Sequence, residues 1–319
     1  MDINLDVTLP GEKLAIRLWE TVDNIICDYL KPINMKRIKL AELENMRLEL
    51  MHNSSIKTGV KSNKNKIEPH LDIAGLNNSI SHQKEIENIR KEINVLHAII
   101  VAEKDLQNSK NETPDQKVDM DWLFKWKDYA SETSKEDIQT LWGKILANEI
   151  KEPGSFSLKT LNILSYINSS VAKKFTKLCE FVIEGRTISR AQLELIREDG
   201  ISDSDLFNLQ YLNLISGVDS IATSYRWDCA PFNKVLTVGK FGLGIKSHDI
   251  DFLVISAINL TEAGKEIYNL IEDIQGNKEY LKQVAITIKK ENQGVINFEI
   301  GEVNIINETS MNLMNYEIL

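Results

Sequence analysis

Hydrophobic residues recur every three or four positions over most of the first 180 residues, and this spacing is typical of amphipathic helices. The pattern predicts helices over residues 12–30, 34–51, 83–106, 120–129, 134–150, 158–167 and 169–182. The later helices are joined by short connections, as in antiparallel helical bundles. We therefore expect N-terminal helices over 1–52 and a helical bundle over 83–185.

Between these two helical regions the hydrophobic period disappears. Residues 53–82 are polar, with only scattered apolar positions, and this composition is typical of a loop or linker. The neighbouring residues 31–66 contain nine Lys or Arg and three Glu, so positive charge is in local excess. The sequence therefore predicts a flexible basic linker over 53–82.

The pattern changes again after Gly185. Short helical patterns over 190–198 and 203–213 are followed by strand-like runs at 221–227, 234–238 and 252–260, then by a helix over 261–274. This order is typical of a winged-helix-like module, here spanning 186–275. Alternating apolar residues at 284–288 and 296–300 flank the turn-like Glu291-Asn-Gln-Gly294 and predict a C-terminal β-hairpin within 276–319. The predicted fold class is mainly α with a smaller α+β part.

Local signals place several helix starts. Ser134 with Asp137, and Ser202 with Asp205, have the spacing of capping boxes, in which each side chain accepts a hydrogen bond from the backbone N–H of the other residue. Thr261 precedes a third helical pattern and is a favourable N-cap residue.

Composition and charge narrow the functional class. The chain has 319 residues and a formal net charge of −9. This charge argues against binding of nucleic acid through the overall charge of the protein. The three widely spaced cysteines form neither a disulfide framework nor a zinc motif. The N-terminus lacks a secretory signal pattern, and no apolar run is long enough to cross a bilayer. We expect a cytoplasmic protein without membrane association.

Candidate catalytic motifs are weak. Pro114-Asp115 followed by Glu149-Ile150-Lys151 imitates a metal-nuclease pattern, but the second element lies at the end of a predicted helix rather than on a strand. The glycine-rich Val238–Ile245 matches no phosphate-binding fingerprint, and the five histidines are isolated. The sequence predicts no catalytic residue, metal or cofactor, and favours a non-enzymatic protein.

The helix pattern at 203–213 would occupy the recognition position of the winged-helix-like module. It contains two Asp and no Lys or Arg, and acidic residues there would repel a phosphate backbone. Protein contacts are therefore favoured over DNA contacts. A second hypothesis remains open, namely a nucleic-acid-binding regulator that uses the basic segment 31–66, with Lys36, Arg37 and Lys39 as candidate contacts.

The segment Leu141–Leu161 is the most distinctive stretch of the chain. Its apolar positions, including Trp142, are interpreted as core, as are the preceding Trp122 and Trp126. Pro153 and Gly154 end one helix before the next begins. Packing does not explain four polar residues of this region, which are candidates for interaction: Gln139, Lys144, Glu149 and Lys159.

The same region carries a resemblance to known families. Asp121-Trp-Leu123, the run from Leu141-Trp142 through Lys144-Ile-Leu-Ala147, Pro153-Gly-Ser155 and Phe175 with Leu178-Cys179 resemble a bacterial family of unknown function. Its signature reads approximately DWL…SDE.MQ.LW.KILA.E…PGS.S.RTL…F..LC. The shorter LW.KILA element is similar to the abortive-infection alpha (Abi-alpha) family of phage-resistance proteins.

This resemblance implies a bacterial protein from a mobile or defence-type locus, and it supplies no catalytic residues. We therefore expect a sensor or adaptor of anti-phage defence that binds a protein partner and can self-associate. A third hypothesis is a toxin-like effector whose enzyme site forms only in the folded chain.

Overall fold

A computed structural model describes residues 9–23, 25, 44–46, 48–49, 73–220, 223–229, 232–292, 295–307 and 310–319. The chain divides into two compact units, Met1–Leu161 and Asn162–Leu319. The described part of the first unit is helical, whereas the second combines helices with two antiparallel sheets. The fold is thus mixed α and β, with helices predominating.

The first unit is built around one long helix. Its helices are α1 (Pro10–Val22), α2 (Ile73–Gln107), α3 (Met120–Glu132), α4 (Glu136–Lys151) and the start of α5 (Leu158–Leu164). Helix α2 packs against α1, α3 and α4. A Cβ atom at Gly143 would lie 2.6 Å from the Cβ of Val101, so only glycine permits the close approach of α4 to α2.

The second unit begins with α6 (Ser169–Leu178), β1 (Thr187–Ser189), α7 (Leu193–Glu198) and α8 (Asp203–Tyr211). Strands β2 (Ile215–Ser216) and β3 (Ser224–Asp228) follow, and β6 (Phe252–Leu260) comes later in the chain before α9 (Glu262–Tyr268). Strands β1, β2 and β3 all pair antiparallel with β6, which is therefore the centre of the first sheet.

The second sheet has the order β4–β5–β7–β8, and every pairing is antiparallel. Its strands are β4 (Phe232–Val238), β5 (Phe241–Ser247), β7 (Asn297–Asn307) and β8 (Ser310–Ile318), with α10 (Lys278–Glu291) preceding β7. Helix α10 contacts β5 and β7, and one face of the sheet beneath it is buried. Residues of that face include Leu243, Ile245, Phe298 and Ile300.

The predicted hairpin over 284–300 is wrong. Residues 284–288 belong to α10, and β7 pairs with β5 and β8 instead. Within α10 the residues Leu281, Val284 and Ile288 are buried at helical spacing, while Ile286 is exposed. The apparent alternation of Val284, Ile286 and Ile288 was therefore a subset of a helical pattern.

The boundaries of other elements also differ from the predictions. Helix α2 begins at Ile73, so residues 73–82 are helical rather than linker; the remainder of the predicted linker lies outside the described residues. The predicted helix over 34–51 lies mostly outside them as well, as does the end of the one over 12–30. Helix α9 ends at Tyr268 rather than near residue 274.

The predicted helix caps have mixed outcomes. The Ser202–Asp205 capping box is confirmed at the start of α8, and Thr261 caps α9 by accepting from the Gly264 N–H at 3.1 Å. The Ser134–Asp137 box is wrong. Ser134 Oγ instead accepts from Arg90 Nη1 at 3.0 Å, so this hydroxyl joins the start of α4 to α2.

Candidate protein-contact surface

Gln139 lies inside the first unit rather than on its surface. Its side chain is buried, and Nε2 donates to Asn94 Oδ1 at 2.9 Å and to the Thr133 carbonyl at 3.0 Å. Asn94 in turn donates to the Ser131 carbonyl at 2.7 Å. These bonds join α2 to the loop between α3 and α4 and satisfy buried polar groups, so Gln139 has a structural role.

Glu149 is also internal, with only 2% of its surface exposed. Its Oε1 accepts from the Gly154 N–H at 2.6 Å, and its Oε2 accepts from the Phe156 N–H at 3.2 Å. The carboxylate therefore supports the turn made by Pro153 and Gly154. A carboxylate that accepts two backbone N–H groups is a strong local support because such bonds are charge-assisted.

The other predicted interaction residues have different positions. Lys144 is half-buried on α4, and Lys159 is exposed on α5. Lys36, Arg37 and Lys39 lie outside the described residues. Of the four predicted residues that the structure describes, Gln139 and Glu149 lie in the interior, Lys144 is half-buried and Lys159 is exposed.

The tryptophan interpretation is confirmed, because Trp122, Trp126 and Trp142 are all buried. Trp122 Nε1 donates to the Phe156 carbonyl at 2.8 Å, and Trp126 Nε1 donates to the Trp142 carbonyl at 3.0 Å. A buried indole normally finds such a partner for its N–H. These rings hold the corner between α4 and α5 in place.

Glu149 and Lys151 of the nuclease-like motif are engaged in contacts within the first unit. Lys151 lies at the end of α4, and its Nζ is 2.6 Å from Asp105 Oδ2, while Glu149 supports the turn. Gly242 and Gly244 belong to β5, which pairs along its length with β4. Within the described residues there is no group of three His, Cys, Asp or Glu side chains placed to hold a metal ion.

Cys179 is unsuited to nucleophilic chemistry. Its side chain is fully buried at the end of α6, and burial raises the pKa of its thiol far above the usual value. Because the thiolate is the reactive form, burial disfavours reactivity at this position, and Cys179 packs as a core residue.

An open groove runs between α2 and α3. Its lysines face its carboxylates: Lys91 Nζ is 2.5 Å from Glu132 Oε1, and Lys127 Nζ is 3.0 Å from Glu92 Oε1. Lys127 also donates to the Ile25 carbonyl at 2.5 Å. The charges of the groove are therefore used mainly in contacts within the first unit.

The outer face of α8 differs from the charged groove between α2 and α3, because it exposes aromatic rings. Phe207 is 51% exposed and Tyr211 is 88% exposed, whereas Leu206 and Leu209 on the inner face are buried. Phe207 and Tyr211 are four positions apart, so they lie one turn above the other on the same side of the helix. We call these two residues the α8 aromatic pair.

Acidic residues at the start of α8 are held by neighbouring cations. Lys174 Nζ is 2.9 Å from Asp205 Oδ2, and Arg197 Nε is 3.0 Å from Asp203 Oδ1. Partial burial acts to raise the pKa of Asp205, but hydrogen bonds from Lys174 and Ser202 outweigh it and lower that pKa below its usual value. Both cations nearest the helix start are thus engaged within the protein.

The α8 aromatic pair was missed as a candidate site in the sequence. The sequence does contain a signal for it. In a helix, Phe207 and Tyr211 lie outside the apolar stripe that contains Leu206, on the same side as the polar Ser204 and Asn208. A helical projection of 203–211 separates the two faces.

Comparison with known proteins finds a family model that matches part of the chain. Residues 77–210 match the model of a family described as "Protein of unknown function (DUF2806)". The matched segment begins within α2 and ends within α8, one residue before Tyr211. Neither a curated protein nor a solved structure matches the chain.

The resemblance to a family of unknown function is therefore supported for this segment. Separately, none of the helices in the described ranges combines the length and apolar composition required to span a membrane.

Proposed function

We propose that this chain acts through protein–protein contacts made by the α8 aromatic pair. The observation that carries the proposal is the exposure of Phe207 and Tyr211 on one side of a helix whose other side is packed. Exposed aromatic side chains cost little conformational entropy to immobilise and often supply most of the energy of a protein interface.

The surrounding elements support a winged-helix-like module as the platform for this surface. A helix, α6, precedes β1; two helices, α7 and α8, follow it; and β1 and β2 then flank β6 in the sheet. In this order α8 takes the position of the recognition helix. The β4–β5 hairpin takes the position of the wing, where it joins the second sheet instead of ending as a loop.

Charge favours a protein partner over nucleic acid at this surface. Helix α8 contains Asp203 and Asp205 and no Lys or Arg, whereas binding to phosphates depends on exposed cations. The cations that flank the helix start, Lys174 and Arg197, are paired with those carboxylates. A nucleic-acid backbone would therefore gain little attraction from α8.

Within this proposal, the chain is a sensor or adaptor in anti-phage defence that works in the cytoplasm. The support is the similarity of the short LW.KILA element at 141–147 to the Abi-alpha family of phage-resistance proteins, and it is a similarity of sequence alone. Cells that express the wild-type chain from its native locus are expected to survive phage challenge better than cells that express Phe207→Ala/Tyr211→Ala. Equal survival at equal protein levels would contradict the link between α8 and defence.

Site-specific photo-crosslinking tests the contact directly. The photoreactive amino acid p-benzoylphenylalanine is placed at position 207 of the full chain in bacterial cells, and irradiation is followed by electrophoresis and mass spectrometry. We expect a protein adduct that protease removes and nuclease does not. The matched control carries the same amino acid in place of Tyr166, which is 67% exposed in the same unit, and should lack that adduct.

Three outcomes contradict the proposal. An adduct removed by nuclease would favour the nucleic-acid hypothesis, and the same adduct from both positions would indicate non-specific contact. An absence of any adduct at position 207 during phage infection would remove α8 as the contact surface.

A further inference from the structure

The second sheet ends in β8, which is an edge strand within the described part of the chain. Strand β8 is the last in the order β4–β5–β7–β8, and in the described part of the chain no other strand pairs with its outer side. The N–H and C=O groups along such an edge form a template for pairing with another strand. Natural edge strands usually carry Lys or Pro to prevent this, and residues 310–318 contain neither.

Apolar side chains gather next to this edge on one face of the sheet. Gly301 lies opposite a bulge at Asn315, whose φ is 48°, and a Cβ atom on Gly301 would meet Tyr316 at 3.0 Å. The bulge therefore places Tyr316 on the same face as Val303, with Ile318 two residues further along the strand. Tyr316 is 55% exposed and Ile318 is 78% exposed.

This face is opposite to the one that α10 covers. A Cβ atom on Gly242 would meet Leu313, Val235 and Val303, so these three side chains lie together above the glycine. We call the patch formed by Val235, Val303, Leu313, Tyr316 and Ile318 the open face. It continues from the middle of the sheet to the β8 edge.

The charge distribution favours a second copy of the same strand. Glu317 is the one charged residue of β8, and its Oε1 lies 3.0 Å from Lys278 Nζ and 2.8 Å from Lys282 Nζ. Two β8 strands paired antiparallel about a two-fold axis place Glu317 opposite an uncharged residue in every register except the one centred on Glu317 itself. The edge is therefore compatible with its own copy despite the net charge of −9 on the chain.

We propose that two copies of the chain associate by antiparallel pairing of their β8 strands, which joins the two sheets and brings the apolar patches of both copies together across the axis. The interface is isologous, since the same residues are used on both sides. Tyr316 and Ile318 then lie within the joined apolar patches and lose part of their exposure, and the outer N–H and C=O groups of β8 gain partners.

Light scattering coupled to size-exclusion chromatography tests this arrangement on the full chain over a wide range of concentrations. The wild-type chain is expected to be a dimer, and Ile318→Lys is expected to be a monomer because each copy then adds a charge to the apolar patch that the two copies share. Ile286→Lys is the matched control, since Ile286 is 56% exposed on α10, and it should remain a dimer. Thermal melts establish that both variants fold.

Hydrogen exchange supplies a second readout. Amides of 310–318 are expected to exchange more slowly in the wild-type chain than in Ile318→Lys, because pairing protects the outer row of N–H groups. A monomeric wild-type chain would overturn the proposal, and that outcome includes the case in which β8 pairs with a strand of a different protein. A folded Ile318→Lys dimer would overturn it as well, because the interface would then lie elsewhere.

Discussion

Two aromatic pairs with the same spacing have opposite environments in this protein. Trp122 and Trp126 on α3 are four residues apart and buried, while Phe207 and Tyr211 on α8 are also four residues apart and exposed. Spacing places both pairs on one side of a helix, but it does not say which side packs. The neighbouring residues decide that, and the two helices differ in them.

On α3 the tryptophans belong to the apolar stripe itself. Trp122, Leu123, Trp126 and Ala130 are buried together, and both indole N–H groups donate to backbone carbonyls. On α8 the stripe is formed by Leu206 and Leu209, which leaves the aromatic pair on the opposite side. Aromatic residues outside the apolar stripe of a helix are therefore the stronger indication of a contact surface.

The largest effect is expected in the tryptophan core. Trp142→Ala should lower the free energy of unfolding by about 3–5 kcal/mol, because a large buried side chain leaves a cavity. Phe124→Ala on α3 is the control, since Phe124 is 49% exposed, and its effect should stay within about 0.5 kcal/mol. Chemical denaturation monitored by circular dichroism, which does not rely on tryptophan fluorescence, measures the free energy of unfolding of both variants.

A melting temperature of Trp142→Ala equal to that of the wild-type chain would contradict the contrast between buried tryptophans and the exposed α8 aromatic pair. It would mean that the ring at position 142 contributes to binding and not to the core. Trp142→Phe sharpens the same test, because Trp142 Nε1 has no hydrogen-bond partner among the described residues. Loss of that N–H should cost less than loss of the ring.

A smaller effect is expected at the turn below the tryptophans. Glu149→Ala removes the acceptor for the Gly154 and Phe156 N–H groups and should lower the free energy of unfolding by about 1–3 kcal/mol, since buried donors lose their partner. Glu149→Gln retains one acceptor oxygen and should lose less. Denaturant titration compares the two variants. Equal losses would mean that the oxygen retained in Glu149→Gln contributes nothing, which would contradict its role as an acceptor.

The sequence predicted the helices around this turn but assigned two of their polar residues to the surface. Gln139 and Glu149 follow no apolar pattern, so periodicity left them unexplained, and their partners lie on backbone groups that only the folded turn brings near. The prediction of a strand over residues 284–288 was wrong for a different reason. Short apolar runs fit helix and strand periods alike, and contact with the second sheet selects the helix.

The pairing of β7 with β5 could not be predicted from the sequence either. These strands are joined across α10 and about fifty residues of chain, as in the pairing of Ile245 with Phe298. Local patterns carry no information on such long-range partners. By contrast, the Ser202–Asp205 box was predicted correctly because all of its bonds lie within one turn.

A weaker, pH-dependent effect is expected at that capping box. The pKa of Asp205 is lowered in the folded chain, so its contribution is fully present above the unfolded pKa of about 3.9 and is lost as the pH falls through the lower folded value. Acidification below a pH of about 4 should therefore lower the protection factors for hydrogen exchange at the start of α8, which compare each observed rate with the intrinsic rate at the same pH. Asp205→Asn should remove most of this pH dependence while costing less than about 2 kcal/mol. A pH dependence unchanged in Asp205→Asn would assign it to another group.

The smallest effect on stability is expected at the α8 aromatic pair, and this result completes the comparison. Phe207→Ala/Tyr211→Ala should change the free energy of unfolding by no more than about 0.5 kcal/mol, because both rings are exposed in the folded chain. The same variant, tested by affinity co-purification, should no longer retain the partner that crosslinking from position 207 identifies. If the double variant instead unfolds at a much lower denaturant concentration, the rings stabilise the fold, and α8 resembles α3 more than a contact surface. Stability retained together with lost partner capture would separate the two aromatic pairs by role as well as by exposure.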